Sequence, residues 1–368
     1  MILMNDFRAE SAEVQAAMLQ GVQRVLSSGW YVLGEEGRRF EQAWAARCGM
    51  AEGVGVGNGL DALEIGLRVL GIGPGDEVIT TPMTAFATVL AVQRAGAIPV
   101  LADIDPRTGL LDPVSVKRCL SPRTRAVLLV HLYGQLHAPG EWQALCRTQG
   151  LYLLEDCAQS HLARWDGQSA GSFGEFGAYS FYPTKNLGAA GDAGMLVLHD
   201  PQMAERARCL RNYGQSERYH HPELGMNSRL DEMQAALLLA RLPFLAHWTA
   251  RRQAIAARYR AELQQSAVRL LAAPAQGQSE SHVYHLFVIA CAQRATLQAH
   301  LTAAGVQTLC HYPVPVHQQP PATDWPRDPA GLLHAERHAA QCLSLPCHPG
   351  LSDGEVERVI AAVNAFCG

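Results

Sequence analysis

The first half of the chain alternates two patterns of apolar residues. Spacing of three or four positions predicts helices over residues 11–28, 40–48, 61–70, 86–95 and 140–149. Short, wholly apolar runs predict buried strands over residues 77–80, 99–102, 125–133, 151–154 and 195–198. Strands that are apolar on both faces indicate a mostly parallel sheet covered by helices on both sides. Ligands of such sheets bind at the carboxyl ends of the strands.

The second part of the chain begins after Asp231 and has a different order of elements. A helical stretch is interrupted at Pro243, and a Gln/Ala/Ser-rich linker follows it. The pattern then predicts a strand over residues 282–290, a helix over 295–304, a Pro-rich loop over 313–329 and a final helix over 353–366. We therefore expect a large α/β domain over residues 1–240 and a smaller α+β domain over residues 241–368.

Composition limits the class of protein. With 48% hydrophobic and 17% charged residues and a net charge of −4, the chain has the profile of a globular protein and offers no basic surface for nucleic acid or anionic membranes. The first residues show no signal-peptide pattern, and no apolar run approaches the roughly 20 residues of a membrane span. The ten cysteines form no Cys-x-x-Cys pair. These features predict a cytoplasmic protein with reduced thiols and no metal site.

Lys185 is the most informative single residue. It follows the aromatic stretch Tyr179–Tyr182 and precedes the glycine-rich segment 188–194. A lysine in these surroundings is suited to be a partly desolvated, reactive amine that can hold an aldehyde cofactor as a Schiff base. A solvated loop lysine is the alternative, so the rest of the chain has to decide.

Two further segments carry candidate chemistry. Asn58-Gly59-Leu60-Asp61 stands at the start of a predicted helix, where exposed N–H groups and the helix dipole favour a phosphate. The same residues fit an ordinary helix cap. Asp156 ends a buried strand, where a carboxylate could pair with the pyridine nitrogen of a pyridoxal cofactor or simply cap the next helix. Ser180 lies five residues before Lys185 and could contact the same phosphate.

Together these motifs resemble the DegT/DnrJ/EryC1/StrS family of sugar aminotransferases, which are fold type I pyridoxal-phosphate enzymes. The resemblance covers nearly the whole chain. The matching segments are Gly29–Gly34 with Phe40-Glu41, Glu155–Gln159, Ser180–Gly188 with Gly191–Gly194, Asn227–Glu232, Val283–Phe287 and Leu343–Pro346. The fold class implied is a large domain with a mostly parallel sheet between helices and a smaller α+β domain.

The resemblance implies roles for individual residues. Lys185 would carry pyridoxal 5′-phosphate as a Schiff base and then move the proton between substrate and cofactor carbons. Asp156 would pair with the pyridine nitrogen, and Gln159 would contact the hydroxyl side of the ring. The phosphate would be held by Ser180 and by backbone groups of Gly59, Leu60 and Asp61. Asn227 would reach the phosphate of a neighbouring subunit, so the resemblance implies a homodimer with shared active sites.

One cofactor contact depends on how the sequence is aligned. The residue that stacks on the pyridine ring is usually aromatic in this family. Ungapped counting places Ala85 at that position, whereas a shift of one residue places Phe86 there, and we predict Phe86. Leu162 stands where the family usually has a glycine, and Cys157 is expected to have a packing role.

The resemblance also narrows the substrates. Dehydratase members carry histidine in place of Lys185, so lysine favours amino transfer in two ping-pong half-reactions. The implied amino donor is L-glutamate, and the implied acceptor is a nucleotide-linked ketosugar. The segments 58–63 and 311–318 resemble the branch that acts on 3-keto-6-deoxyhexoses linked to dTDP. The resemblance to this branch implies that the sugar lies against Tyr182, His311, Tyr312 and His317. The alternative for His311 and His317 is a loop of solvated histidines.

Other functions stay open at this point. One is amination of a 4-keto sugar, and another is dehydratase or synthase chemistry on the same cofactor. A third is a cofactor-binding regulator without turnover, which the presence of Lys185, Asp156, Gln159, Ser180 and Asn227 disfavours.

Overall fold

The structure is a computed structural model that describes residues 1–367. Within these residues, helices α1 to α12 span Ala12–Ser28, Glu35–Cys48, Gly59–Val69, Phe86–Arg94, Pro113–Cys119, Pro139–Gln149, Pro201–Leu210, Glu232–Arg241, Leu245–Glu262, Arg294–Ala303, Leu333–Gln341 and Asp353–Asn364. Strands β1 to β12 span Glu52–Val56, Glu77–Thr80, Ile98–Leu101, Thr124–Val130, Tyr152–Asp156, Arg164–Trp165, Gln168–Ser169, Phe176–Ser180, Gly194–Leu198, Val268–Leu270, Phe287–Cys291 and Cys342–Leu345.

The large sheet has seven strands in the order β1-β9-β8-β5-β4-β2-β3. Strand β9 runs antiparallel to its neighbours β1 and β8, and the other neighbouring strands pair in parallel. Both faces of β9 are covered by apolar residues. Met195 and Val197 belong to the apolar cluster of Trp44 on one face, and Leu196 and Leu198 belong to the cluster of Leu67 on the other. The predicted mostly parallel sheet with two covered faces is confirmed.

Local sequence signals set several element ends. Ser11 caps α1 by accepting the N–H of Val14, and Gly29 ends it with φ of 65°. The strand predicted over residues 125–133 ends earlier, at Val130. The chain then turns through a short 3₁₀ helix, Leu132–Gly134, in which Tyr133 has φ of 63°. This positive φ is uncommon for a bulky side chain, and the contacts of Tyr133 described below hold it in place.

A second sheet, β10-β11-β12, is antiparallel and packs against α9, α10 and α12. The strand predicted over residues 282–290 is wrong in its first part, since β11 begins at Phe287. His282 forms a bridge with Gln135 instead, and the N–H of Val283 donates to the carbonyl of Gly134. The first part of the segment therefore pairs with the loop after β4.

The predicted domain boundary at residues 240/241 stays a prediction. The long helical stretch is interrupted as expected, since α8 ends at Arg241 and α9 begins at Leu245, with Pro243 between them. Among the described residues, no helix combines the length and the apolar character needed to cross a membrane.

Candidate active site

A cavity of about 510 Å³ opens at the carboxyl ends of β5 and β8, beside the first residues of α3 and α4. This is the position expected for a ligand site in a parallel sheet. Nine of the predicted site residues line it, namely Gly59, Leu60, Asp156, Gln159, Ser180, Tyr182, Lys185, His311 and Tyr312. The remaining lining residues include Asn58, Ala85, Thr88, Ala158 and His285.

Lys185 lies on the loop that follows β8, and the carbonyl of Tyr182 accepts its backbone N–H. Burial lowers the pKa of its side-chain amine from 10.5 to about 8, although the nearby Asp156 carboxylate acts in the opposite direction. A substantial fraction of the amine is therefore uncharged near neutral to mildly basic pH. A neutral amine is the form that can attack an aldehyde.

Asp156 is the last residue of β5 and is 6% exposed. Its Oδ2 accepts a hydrogen bond from Thr88 Oγ1 at 2.8 Å, and its Oδ1 accepts one from the N–H of Ala158 at 3.1 Å. Burial raises the pKa of this carboxyl, whereas both hydrogen bonds and the charge of Lys185 oppose the increase. Among residues 1–367, no side chain forms a salt bridge with this carboxylate, and a protonated ring nitrogen in the cavity would supply a directly bonded cation.

The start of α3 provides donors for an anion. Asn58 caps the helix, since its Oδ1 accepts the N–H of Asp61 at 2.9 Å. The N–H groups of Gly59 and Leu60 are left without an acceptor among residues 1–367, and both residues line the cavity. The two interpretations of this segment are therefore compatible: it is a capped helix, and it still offers two N–H groups to a phosphate.

Gly59 also shows why a small residue is needed here. A Cβ atom built on Gly59 would lie 2.7 Å from Cβ of Ser180. The end of β8 therefore approaches the start of α3 more closely than any larger residue permits, and this contact brings Ser180 to the two free N–H groups.

His311 and Tyr312 also line the cavity. His311 Nδ1 contacts Ser344 Oγ at 2.8 Å, and burial together with the charge of Lys185 lowers its pKa to about 4. The imidazole is therefore neutral at physiological pH. Burial raises the pKa of Tyr312 to about 12, and its hydroxyl lies 3.4 Å from Gln159 Nε2. Tyr182 stands at the mouth with 51% of its surface exposed.

Two predicted residues do not reach the cavity. Phe86 is absent from the cavity lining and its ring stacks on Trp325 at 6.1 Å, whereas Ala85 lines the cavity. Our prediction for Phe86 is corrected accordingly, because its ring joins an apolar cluster below α4. His317 is buried, and its Nε2 contacts Glu336 at 3.0 Å rather than the cavity.

Asp61 and Asn227 contribute differently from the expectation. The N–H of Asp61 is taken by Asn58, so it is not available to a phosphate in the way that those of Gly59 and Leu60 are. The Asp61 carboxylate accepts hydrogen bonds from Ser228 and Asn58 beneath the cavity. Asn227 is exposed and lies outside the cavity of its own chain.

A neighbouring buried cluster joins His131, Glu155 and Cys157, whose side chains lie close enough to hold a metal. The Glu155 carboxylate, however, accepts three backbone N–H groups, from Gly171, Phe173 and Gly174, and contacts His131 Nε2. These bonds use the lone pairs that a metal would need. The cluster therefore ties residues 171–174 to β5, and Cys157 is fully buried beside it.

Comparison with known proteins decides the family. The model of the DegT/DnrJ/EryC1/StrS aminotransferase family matches residues 12–364. The chain belongs to this family. Its members are pyridoxal-phosphate-dependent aminotransferases.

Curated relatives and solved structures agree with the family. The erythromycin biosynthesis sensory transduction protein EryC1 of Saccharopolyspora erythraea is 45% identical over 360 residues, covering 98% of each chain. A dTDP-3-amino-3,4,6-trideoxy-α-D-glucose transaminase of Streptomyces venezuelae is 44% identical over 361 residues, with 98% of this chain and 95% of the relative covered. The crystal structure of S. venezuelae DesV with a ketimine intermediate superposes with a TM-score of 0.94, at 44% identity and 99% and 97% coverage. The predicted fold class, fold type I, is confirmed.

Sequence reasoning missed two residues of this aminotransferase site. Thr88 contacts Asp156 directly, and His285 lines the cavity while its Nδ1 contacts Asn186 Oδ1 at 3.1 Å. Signals for both existed. Thr88 lies two residues after Phe86, within the segment 82–88 that contains both candidates for the stacking position, and His285 lies inside the family-like segment 283–287.

Proposed function

We propose that this protein is a pyridoxal-phosphate-dependent aminotransferase that transfers the amino group of L-glutamate to a dTDP-linked 3-keto-6-deoxyhexose. The observation that supports it most directly is one cavity that contains a lysine amine with a pKa of about 8, a buried carboxylate and two free N–H groups at a helix start. The amine can react with an aldehyde, the carboxylate can pair with a protonated ring nitrogen, and the two N–H groups can donate to a phosphate.

The residues of the cavity fit the phosphate and the ring nitrogen of pyridoxal phosphate. Gly59 and Leu60 would donate backbone N–H groups to the phosphate beside Ser180, and Asp156 would accept the N–H of the ring. When bound, the cofactor supplies an electron-withdrawing ring that stabilises negative charge on the substrate carbon. Lys185 Nζ would take a proton from that carbon and return it to the cofactor, since its pKa allows both protonation states near neutral pH.

The sugar would lie against Tyr182, His311 and Tyr312, which line the cavity together with Lys185. A neutral imidazole and a neutral phenol can exchange hydrogen bonds with sugar hydroxyls but offer no charge to them. The preference for a dTDP-linked sugar is supported by the name of the S. venezuelae relative, which is a dTDP-3-amino sugar transaminase.

We also propose that two copies form a dimer with shared sites. Asn227 is exposed, but the adjacent Ser228 is buried, accepts the N–H of Gly57 at 2.9 Å and donates to Asp61 at 2.6 Å. The loop is thus fixed to the start of α3, while Asn227 is free to contact a second copy.

Mixing two impaired variants tests the shared site. Lys185→Ala and Asn227→Ala proteins, unfolded and refolded together, should form mixed dimers in which one site carries both changes and the other carries neither. Recovered activity supports sharing. If the mixture is no more active than the two separate proteins, each site is made by one chain and the proposed dimer is wrong.

The substrate proposal is tested with a panel of dTDP-, UDP- and GDP-linked 3-keto and 4-keto sugars, each incubated with cofactor and L-glutamate. Mass spectrometry should show an amino sugar, formed fastest from the dTDP-linked 3-keto substrate. Lys185→Ala should give none and should lose the visible absorbance of the lysine-bound cofactor. Loss of water instead of amination would indicate a dehydratase.

A regulatory role is the second candidate, because the EryC1 relative is named a sensory transduction protein. The same experiment separates the two. A regulator without turnover would bind the cofactor and show its absorbance, but that absorbance would not change when L-glutamate or any other amino acid is added.

A further inference from the structure

Tyr133 connects the two sides of the cavity without lining it. Its side chain is 2% exposed, and it lies in the turn after β4. Its backbone N–H donates to Gln159 Oε1 at 2.6 Å. Its hydroxyl contacts the carbonyl oxygen of His311 at 2.5 Å and Nε2 of His338 at 2.8 Å. One residue in the turn after the interior strand β4 therefore holds both Gln159, a proposed cofactor contact, and His311, in the proposed sugar-binding segment.

The direction of each of these hydrogen bonds follows from proton counting. A carbonyl oxygen only accepts, so the single hydroxyl proton of Tyr133 goes to His311 O. His338 must then donate its Nε2 proton to the Tyr133 oxygen, and its buried Nδ1 carries no proton. Burial lowers the pKa of His338 to about 4, so this neutral form is the one present at physiological pH.

The contacts continue into a closed ring. Because the Tyr133 N–H can only donate, the amide oxygen of Gln159 faces Tyr133 and its Nε2 faces the Tyr312 hydroxyl at 3.4 Å. Tyr312 is bonded in sequence to His311, whose carbonyl returns to the Tyr133 hydroxyl. The position of the His311-Tyr312 segment and the orientation of the Gln159 amide are therefore set together.

We propose that Tyr133 is a positioning residue for the sugar substrate: its hydroxyl fixes the His311-Tyr312 segment against Gln159, and it thereby controls how tightly the nucleotide-linked sugar is bound. This inference rests on the proposed function, because it takes the segment to be the sugar-binding side. The hydroxyl should matter little for loading the amino group, since the bond to Gln159 comes from the backbone N–H of Tyr133 and, among residues 1–367, no hydrogen bond joins the hydroxyl to Lys185 or Asp156.

The test is Tyr133→Phe, which removes the hydroxyl and keeps the ring. Without the hydrogen bond from Tyr133 to the His311 carbonyl, the His311-Tyr312 segment should bind the sugar less tightly. We expect the KM for the dTDP-linked 3-ketosugar to rise about tenfold, equivalent to about 1.4 kcal/mol. The rate at which L-glutamate converts the bound cofactor to its amine form should change less than twofold. The dissociation constant of dTDP-glucose, measured by calorimetry on cofactor-loaded protein, should rise in parallel with KM.

Tyr259→Phe is the matched control. Tyr259 is also fully buried, and its hydroxyl also donates to a carbonyl, that of Pro346 at 2.7 Å, but within the cluster of the small sheet. It should lower thermal stability as Tyr133→Phe does and leave sugar binding unchanged. His338→Leu provides a second variant, which removes the donor to Tyr133 and should raise KM in the same direction by a smaller factor.

The outcomes are separable. Wild-type sugar KM and dTDP-glucose affinity in Tyr133→Phe would overturn the positioning role while the aminotransferase function stands. An equal loss in the glutamate and sugar half-reactions would also overturn it, because a general structural defect affects both. Failure of the wild-type protein to aminate any sugar of the panel would reject the proposed function, and this inference with it.

Discussion

Thr88→Val is the sharpest test of how the cavity keeps Asp156 charged. Thr88 Oγ1 donates to Asp156 Oδ2 and lies 2.7 Å from Thr84 Oγ1. Since the single proton of Thr88 goes to the carboxylate, Thr84 must be the donor in the second contact. Valine has nearly the same shape, so the substitution removes one of the two hydrogen bonds that the Asp156 carboxylate receives, together with the acceptor of the Thr84 hydroxyl.

The expected magnitude follows from the charge of the acceptor. Hydrogen bonds to charged groups contribute about 1.5–3 kcal/mol, and about 1.4 kcal/mol corresponds to a tenfold change in a dissociation constant. Burial already raises the pKa of Asp156, and Thr88 opposes that increase, so the variant should raise it further. Pyridoxal phosphate should therefore bind about tenfold more weakly or worse, and its binding should fail at a higher pH as the solution is acidified.

The measurement is a titration of cofactor-free protein with pyridoxal phosphate, followed by absorbance at several pH values. Thr80→Val is the control. Thr80 is fully buried on β2, and its Oγ1 donates to the carbonyl of Leu128 at 2.9 Å, without contact to Asp156. If Thr88→Val binds the cofactor as tightly as Thr80→Val, with the same pH dependence, the hydrogen bond does not maintain the carboxylate and our reasoning is refuted.

Two further predictions concern the other polar groups of the site. Gly59→Ala should cost about 1–3 kcal/mol of stability and weaken cofactor binding, because its Cβ would meet Ser180. The control is Gly354→Ala, whose Cβ would meet open space and which should have neither effect. Thermal melting and cofactor titration of the two variants in parallel provide the measurement. Between about pH 8 and 10.5, Lys185 binds fewer protons in the folded protein than in the unfolded chain. The unfolding free energy of the cofactor-free protein should therefore rise with pH across this range, by up to about 3 kcal/mol relative to Lys185→Met. This gain should be lost again as the pH falls to about 8. Parallel denaturation curves of the two proteins across that range would contradict the lowered pKa.

Local patterns were sufficient where the neighbours in sequence decide the structure. Ser11 and Gly29 mark the ends of α1 through capping and a left-handed conformation, and both signals are visible in the chain. The place of Lys185 in the cavity was predictable through the family-like motif Ser180–Gly188, since its immediate surroundings left a solvated loop lysine as the alternative. The free N–H groups at Gly59 and Leu60 follow from the general rule that helix starts leave donors unpaired.

Contacts between distant segments were not predictable in the same way. The pattern over residues 282–290 shows apolar character but cannot tell which partner the backbone will pair with, and its first part pairs with the loop after β4. Ala85 is the N-cap residue of α4 and Phe86 is its first residue, and the Phe86 ring packs on Trp325, more than 200 residues away in the sequence. His317 is held by Glu336, a contact that no spacing rule predicts.

Glu155 and Asp156 lie side by side at the end of β5 but face opposite surfaces of the sheet. The first holds residues 171–174 through three backbone N–H groups, and the second faces the cavity. A slip of one residue in the pairing of β5 would turn its side chains to the opposite faces of the sheet, so Asp156 would leave the cavity and Glu155 would leave the donors of residues 171–174. The five paired positions between β4 and β5 therefore set both roles at once. A chain that folds with β5 in the wrong register loses the hydrogen bonds of Glu155, which stabilise the fold, and the carboxylate of the cavity, which the proposed reaction needs.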